Sequence, residues 1–358
     1  STAAAQPSLP PLPPSALRAA AARNWSALDW EFSSFADALP ELGALQTHLL
    51  GTFAVLHNWQ QPRATARAGL FHTAYLAPGT AAVGGAGGTA SDREQLRELI
   101  GPHAEELVAL FSSDALSWER LATSALTGQP PEWAELPCGE RRHVARSDFA
   151  QLAVVAMADI AECAHEARSP EAGDASGIAG SPGDVAKPAV EMYWMSQLCL
   201  QFRDDLSCVP PIFDYCTRSL ARADEAQARD AYWHAAGDRA RHAGSAPSAA
   251  SALNEAIALN PFVAEPHVLL GEALLEDARY EAAAAHAGQA LALFYQWGTS
   301  WDKRAPFASW VARASSLAMR ALAGQRRGAV APPALPEVTP LSGPLAERGS
   351  GPDRPVDF

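Results

Sequence analysis

The chain has 358 residues, of which 48% are hydrophobic and only 19% charged, against a usual charged share of about 25%. With 27 Lys+Arg against 40 Asp+Glu and a net charge of −13, general affinity for nucleic acid or an anionic membrane is disfavoured, and no apolar run approaches the roughly 20 residues of a membrane span. The length predicts about two domains of roughly 150 residues, and an apolar share made largely of alanine predicts many helices rather than one deep core.

In chain order, Ser1 to Arg23 is Ala/Ser/Pro-rich, with Arg18 and Arg23 and no acid. It reads either as a disordered tail or as a transit-peptide remnant. The first reading predicts a cytoplasmic protein, the second a plastid or other organelle. Phe35 to His57 carries Leu39, Leu42, Leu45, Leu49, Phe53 and Leu56 at helical spacing and includes His48. After Pro62, the small and apolar run Ala68-Gly69-Leu70-Phe71 delivers His72. Ala81 to Ser91 is low-complexity and predicts a loop. Arg93 to Phe111 reads as one helical run. Glu140 to His143 reads as a solvated turn. Phe149 to His165 predicts a strongly apolar helix that carries Asp159, an acid that needs a partner or a metal if buried. Ser169 to Lys187 has linker composition, and Val190 to Phe202 predicts a further helix. No convincing alternating strand is found, so the class is all-α.

The C-terminal third repeats at 34 residues. Trp233, His267 and Trp301 are spaced so, as are Gly237 and Gly271, Ala249 and Ala283, and Ala256 and Ala290. Pro261 closes the first unit. The pattern resembles the tetratricopeptide repeat (TPR) and predicts three helix pairs over 225–322, each with a large side chain near the start of its first helix. The third unit has Ala305 where glycine is expected, as suits a terminal cap. The resemblance implies either a groove for a protein or peptide partner or internal bracing against the first domain. From Gly324 the chain is rich in proline and should lack a packed core.

His48, His72 and Asp159 form the candidate metal set; a buried hydrogen-bonded cluster is the alternative. Their order resembles HD-domain metalloproteins over roughly residues 40 to 165. There, a His, a His-Asp pair and a distant Asp converge on metal. Thr73 stands where the paired Asp would be, which removes one anionic ligand and leaves a mononuclear site. His57, nine residues after His48, falls on the opposite helix face at about 100° per residue. Asp148 lies three turns from Asp159 and cannot share its ion. Glu162 lies on the Asp159 face as a ligand, a hydrogen-bond acceptor or an exposed acid. His103 reads as a local partner of Glu106.

The phrases Leu49 to Thr52, Trp59 and Ala68 to His72 are similar to those of the DUF6817 family. So are Ile100-Gly101, Ala104-Glu105, Leu107 and Leu110-Phe111, and then Trp297 to Arg304. This likeness covers most of residues 40 to 320 and implies no activity. After the His, the family usually has Ser and then Tyr-Gly-Thr; here Thr73, Ala74 and Tyr75 precede Leu76 and Ala77.

Phosphate-binding glycine loops and a Gly-x-Ser-x-Gly elbow are absent. Cys138, Cys163, Cys199, Cys208 and Cys216 lack metal or disulfide spacing and read as buried thiols. The expected organisation is a disordered or targeting segment at 1–24, an HD-like domain at 25–168 and a linker at 169–187. Connecting helices follow at 188–224, then TPR-like repeats at 225–322 and a disordered tail at 323–358. Two functions follow. One is a divalent-metal hydrolase (Fe, Mn, Zn or Mg) acting on a small phosphorylated substrate, or with iron an oxygenase. The other is a non-catalytic scaffold that binds a partner through the repeats.

Overall fold

The computed structural model describes residues 44–75, 90–113, 117–136, 138–162, 190–213, 221–241 and 246–329. Among these the chain is helical apart from one hairpin. The helices are α1 (Ala44–Asn58), α2 (Arg63–Leu70), α3 (Ala90–Ile100), α4 (Pro102–Phe111), α5 (Trp118–Thr127) and α6 (Arg146–Glu162). After them come α7 (Val190–Gln201), α8 (Arg222–Arg241), α9 (Ala246–Leu259), α10 (Ala264–Glu276), α11 (Tyr280–Trp297) and α12 (Phe307–Ala329). The all-α expectation holds. The predicted linker 169–187 and the segment 1–24 lie outside the described residues.

The run Arg93 to Phe111 is two helices, not one. Gly101 has φ 95, which ends α3, and Pro102 opens α4 at a position where its missing N–H costs nothing. Ala90 and Ser91, assigned by composition to a loop, begin α3. The periodicity gave no warning of a hairpin, β1 (Trp133–Glu135) with β2 (Arg141–His143), which pairs Trp133 with His143 and Glu135 with Arg141. Three-residue strands are too short to show an alternating pattern. Glu140 to His143 is therefore not a free turn. Arg142 Nε lies 2.8 Å from Glu106 Oε1 and ties the hairpin to α4.

The N-terminal core packs α1 on α2 and α6, with α4 against α2 and α6. Helix α6 is buried nearly all round from Phe149 to Ala158 and supplies Phe149, Leu152, Val155 and Met157 to the core. The C-terminal helices stack in sequence, α8 on α9, α9 on α10, α10 on α11 and α11 on α12. The crossing alanines Ala249, Ala256, Ala283 and Ala290 are all buried. A Cβ on Gly271 would lie 2.6 Å from Leu317 Cδ2, so α10 and α12 meet at van der Waals contact there. Pro261 follows the end of α9, as expected.

The three aromatic or His positions of the 34-residue spacing do not occupy equivalent places. Trp233 is midway along α8 and His267 is in the first turn of α10. Trp301 lies in the loop before α12, and a single helix follows it among the described residues, where a pair was expected. The cause is local. Glu265 Oε1 holds the backbone N–H groups of Trp301 (2.6 Å) and Asp302 (3.0 Å), and the helix opens only at Phe307, with the Pro306 carbonyl accepting from Trp310 N–H at 3.2 Å. The predicted tail also begins too early. Helix α12 continues through Ala329 with Gly324 packed against the Tyr280 ring, because Trp310, Ala314, Leu317 and Ala321 form an apolar stripe that carries it onto α11.

The two halves share one core. Trp59 and Trp297 are fully buried, and each ring N–H finds a backbone carbonyl, Trp59 Nε1 at 3.0 Å from Trp297 O and Trp297 Nε1 at 2.8 Å from Phe262 O. Gly298, at φ 70, caps α11 and leaves room for Asn58, whose Nδ2 donates to Tyr295 O at 2.8 Å. No helix is long and apolar enough to cross a membrane among the described residues. Of the cysteines, Cys199 is buried, Cys208 half-buried and Cys138 exposed in the hairpin turn. The buried-thiol expectation therefore fails at Cys138, and Cys163 and Cys216 lie outside the described residues.

Candidate metal centre

His48 projects from α1, His72 from the turn after α2, and Asp159 from the last turns of α6. These elements meet because two glycines remove side chains where they cross. A Cβ on Gly69 would lie 2.2 Å from Leu56 Cδ1, so α2 sits directly on α1. A Cβ on Gly51 would lie 2.4 Å from Glu162 Cδ, so the end of α6 lies over α1 one turn from His48.

The result brings together all three residues that the sequence nominated. Asp159 Oδ1 is 3.0 Å from His48 Nε2 and 3.5 Å from His72 Nε2. One ligand atom from each residue lies within 4.8 Å of the others. The two imidazoles stand edge to face, with centroids 5.3 Å apart, and Phe111 closes the His72 side at 5.1 Å.

Hydrogen bonding fixes the protonation of His72. Its Nδ1 is 2.7 Å from the Gly69 carbonyl oxygen, which can only accept, so the proton is on Nδ1. Burial pushes the His72 pKa down from its ordinary value, although Asp159 pulls the other way. Burial thus favours the neutral ring, in which Nε2 carries the electron pair. That pair faces a carboxylate oxygen at 3.5 Å. Two acceptors in that position repel unless a proton or a metal cation lies between them. His48 presents its Nε2 to the same oxygen at 3.0 Å. The donor set therefore fits a divalent cation, with two imidazole nitrogens and one carboxylate.

The other nominated side chains go elsewhere. Glu162 is not a ligand. Its Oε2 accepts from Thr299 Oγ1 at 2.8 Å and lies 3.5 Å from Lys303 Nζ, which joins α6 to the C-terminal half. His57 is exposed, with its ring edge on Phe53. His103 is exposed and faces Gln151 Oε1 at 3.1 Å rather than Glu106, which is occupied by Arg93 and Arg142. Sequence reading missed the support of the turn after His72. Tyr75 OH donates to Glu105 Oε1 at 3.2 Å, and Glu105, fully buried, is gripped by Arg93 at 2.6 Å and Arg97 at 2.9 Å. Glu105, an acid just before the apolar run Leu107 to Phe111 of α4, was the available signal.

A family model described as domain of unknown function (DUF6817) matches residues 36–114. The match contains His48, His72 and the Ile100 to Phe111 phrase; Asp159 and the Trp297 to Arg304 phrase lie beyond it. No curated protein and no solved structure matches the chain. The segment that supplies two of the three converging side chains is thus similar to the DUF6817 family.

Proposed function

We propose that His48, His72 and Asp159 hold one divalent cation and that the protein is a metal-dependent hydrolase of a small phosphorylated substrate. The observation that carries this is the convergence of one ligand atom each from His48, His72 and Asp159 within 4.8 Å, with His72 Nδ1 already committed to the Gly69 carbonyl. When bound, a cation supplies a Lewis acid and a water of lowered pKa, the chemistry that phosphoester hydrolysis needs. Three protein ligands leave coordination positions for water and substrate. The Gly69 carbonyl holds the His72 ring and its tautomer, the role that outer hydrogen bonds play at metal sites. Phe111 shields one side of His72 from water. The convergence of His, His and Asp on helix ends supports an HD-like arrangement, with Thr73 in place of the usual Asp keeping it mononuclear. Two imidazoles with one carboxylate also suit ferrous iron, so oxidation is the second chemistry this donor set favours.

The test is phosphate release from p-nitrophenyl phosphate by chelator-stripped protein reloaded in turn with Fe, Mn, Zn or Mg. Release with at least one metal, lost in Asp159→Asn, is expected. No release under any loading removes the hydrolase reading, and oxygen consumption with iron then distinguishes an oxygenase.

The C-terminal helices support the second reading, a TPR-like scaffold for a protein partner. In its favour, the paired alanines at 34-residue spacing are buried at helix crossings in both α9 and α11. Loss of partner capture on deleting 225–322, with His72→Ala retaining it, is the expected outcome. The alternative fate of this surface, bracing, is favoured by the shared Trp59–Trp297 core.

A further inference from the structure

A cleft opens between α8, the α9–α10 junction and the loop before α12, far in sequence from the metal ligands. It encloses about 410 Å³ of empty space, part of it open to solvent. Tyr232, Trp233 and Trp301 line it, with Ala228 and Val263 as apolar floor and Glu265 among the walls. Glu265 is fully buried. Its Oε1 is committed to the backbone N–H groups of Trp301 and Asp302. Its Oε2 is buried with no hydrogen-bond partner. A buried carboxylate oxygen left in this way is costly and calls for a donor.

The other charges at the cleft are already engaged. Asp302 accepts from Tyr232 OH at 2.6 Å and is paired with Arg304. Arg229 lies 3.6 Å from Asp230. Arg304 stacks on Trp233 at 4.5 Å from the ring centroid, so an aromatic wall of the cleft already receives one cation.

We propose that this cleft binds an alkylammonium group, held by Glu265 Oε2 and surrounded by the aromatic side chains. The single available oxygen selects the ligand class. A guanidinium is best matched by both oxygens of a carboxylate, and one is taken here; an ammonium is a point charge that needs only one. A metal ion finds no second free anionic or imidazole donor, because Asp302 is held by Tyr232 and Arg304. The aromatic faces and apolar floor suit the remaining N–H or methyl surface and the alkyl stem. The same group is carried by a free amine or by a lysine side chain. Trp233 Nε1 is also buried without a partner, and a carbonyl oxygen beside the stem would satisfy it.

Burial raises the Glu265 pKa to about 7, against the pull of the backbone N–H groups. Asp302 raises it further; Tyr232 and the cations Arg304 and Arg229 are the other ionisable groups on the surrounding elements. Binding should therefore be about tenfold weaker at pH 6 than at pH 8, as the carboxylate protonates.

The experiment is calorimetric titration of the full chain with n-butylammonium chloride, n-butanol and N-acetyl-lysine methylamide at pH 8. Butylammonium should bind at least tenfold more tightly than butanol, and Glu265→Gln, which keeps the shape and loses the charge, should erase that preference. Tighter binding of the lysine amide than of butylammonium identifies a peptide source, and the reverse a free amine. Butylammonium binding no tighter than butanol, or a loss under threefold in a folded Glu265→Gln variant, overturns the proposal. Should that variant fail to fold, wild-type affinity that is unchanged between pH 6 and pH 8 overturns it instead.

Discussion

Gly69→Ala tests whether the α1–α2 contact sets the site. The new Cβ would lie 2.2 Å from Leu56 Cδ1, 3.4 Å from Thr52 Cγ2 and 3.6 Å from Leu56 Cγ. Overpacking of this kind costs about 1–3 kcal/mol. Replacing a helical glycine by alanine returns about 1 kcal/mol, so the net loss is about 0–2 kcal/mol. Leu56→Val removes the clashing Cδ1 and leaves ordinary contacts; alone it costs about 1 kcal/mol as a lost buried methylene. In the double variant the overpacking disappears, so the two changes should couple favourably by about 1–3 kcal/mol. Urea unfolding followed by far-UV circular dichroism, for wild type, both singles and the double, measures that coupling. Additivity within about 0.5 kcal/mol, the behaviour of independent sites, would refute the argument.

Three further outcomes are expected. Glu105→Gln removes the buried carboxylate that Arg93 and Arg97 share, while Arg93 keeps Glu106 at 3.0 Å, and should cost about 1–3 kcal/mol in the same urea assay. Trp59→Phe leaves the buried Trp297 carbonyl without its donor and should cost about 1–3 kcal/mol, read as a lowered urea midpoint with an unchanged slope. His267, buried beside His286 at 2.9 Å, has its pKa lowered by burial from 6.5 to about 3. The unfolded chain protonates first, so stability should fall by about 1.4 kcal/mol per pH unit between those values. Glu265, raised from 4.5 to about 7, contributes the opposite slope between those two values. The fall should therefore emerge mainly below pH 4.5, and His267→Leu should make it shallower by about one proton.

The helical class and the candidate metal set were legible because they rest on local signals. Apolar spacing in α1, α6 and α7 follows the helix period, and His48, His72 and Asp159 each stand out as polar residues in apolar surroundings. What brings them together was not legible. Gly51 and Gly69 look like ordinary small residues until the atoms opposite them, Glu162 and Leu56, are known. The break at Gly101-Pro102 was readable from the residue types, but the apolar spacing across it is nearly continuous. The repeat spacing located the buried alanines and misplaced Trp301, because the hydrogen bonds from Glu265 that fix that loop span more than thirty residues. Long-range pairs of that kind leave no periodic trace.

The central claim is the cation at His48, His72 and Asp159. It is tested most directly by calorimetric titration of Mn²⁺ and Zn²⁺ into chelator-stripped protein, alongside His72→Ala and Asp159→Asn. One equivalent bound by wild type and lost in both variants is predicted; no binding by wild type, or binding unchanged in the variants, would contradict the account.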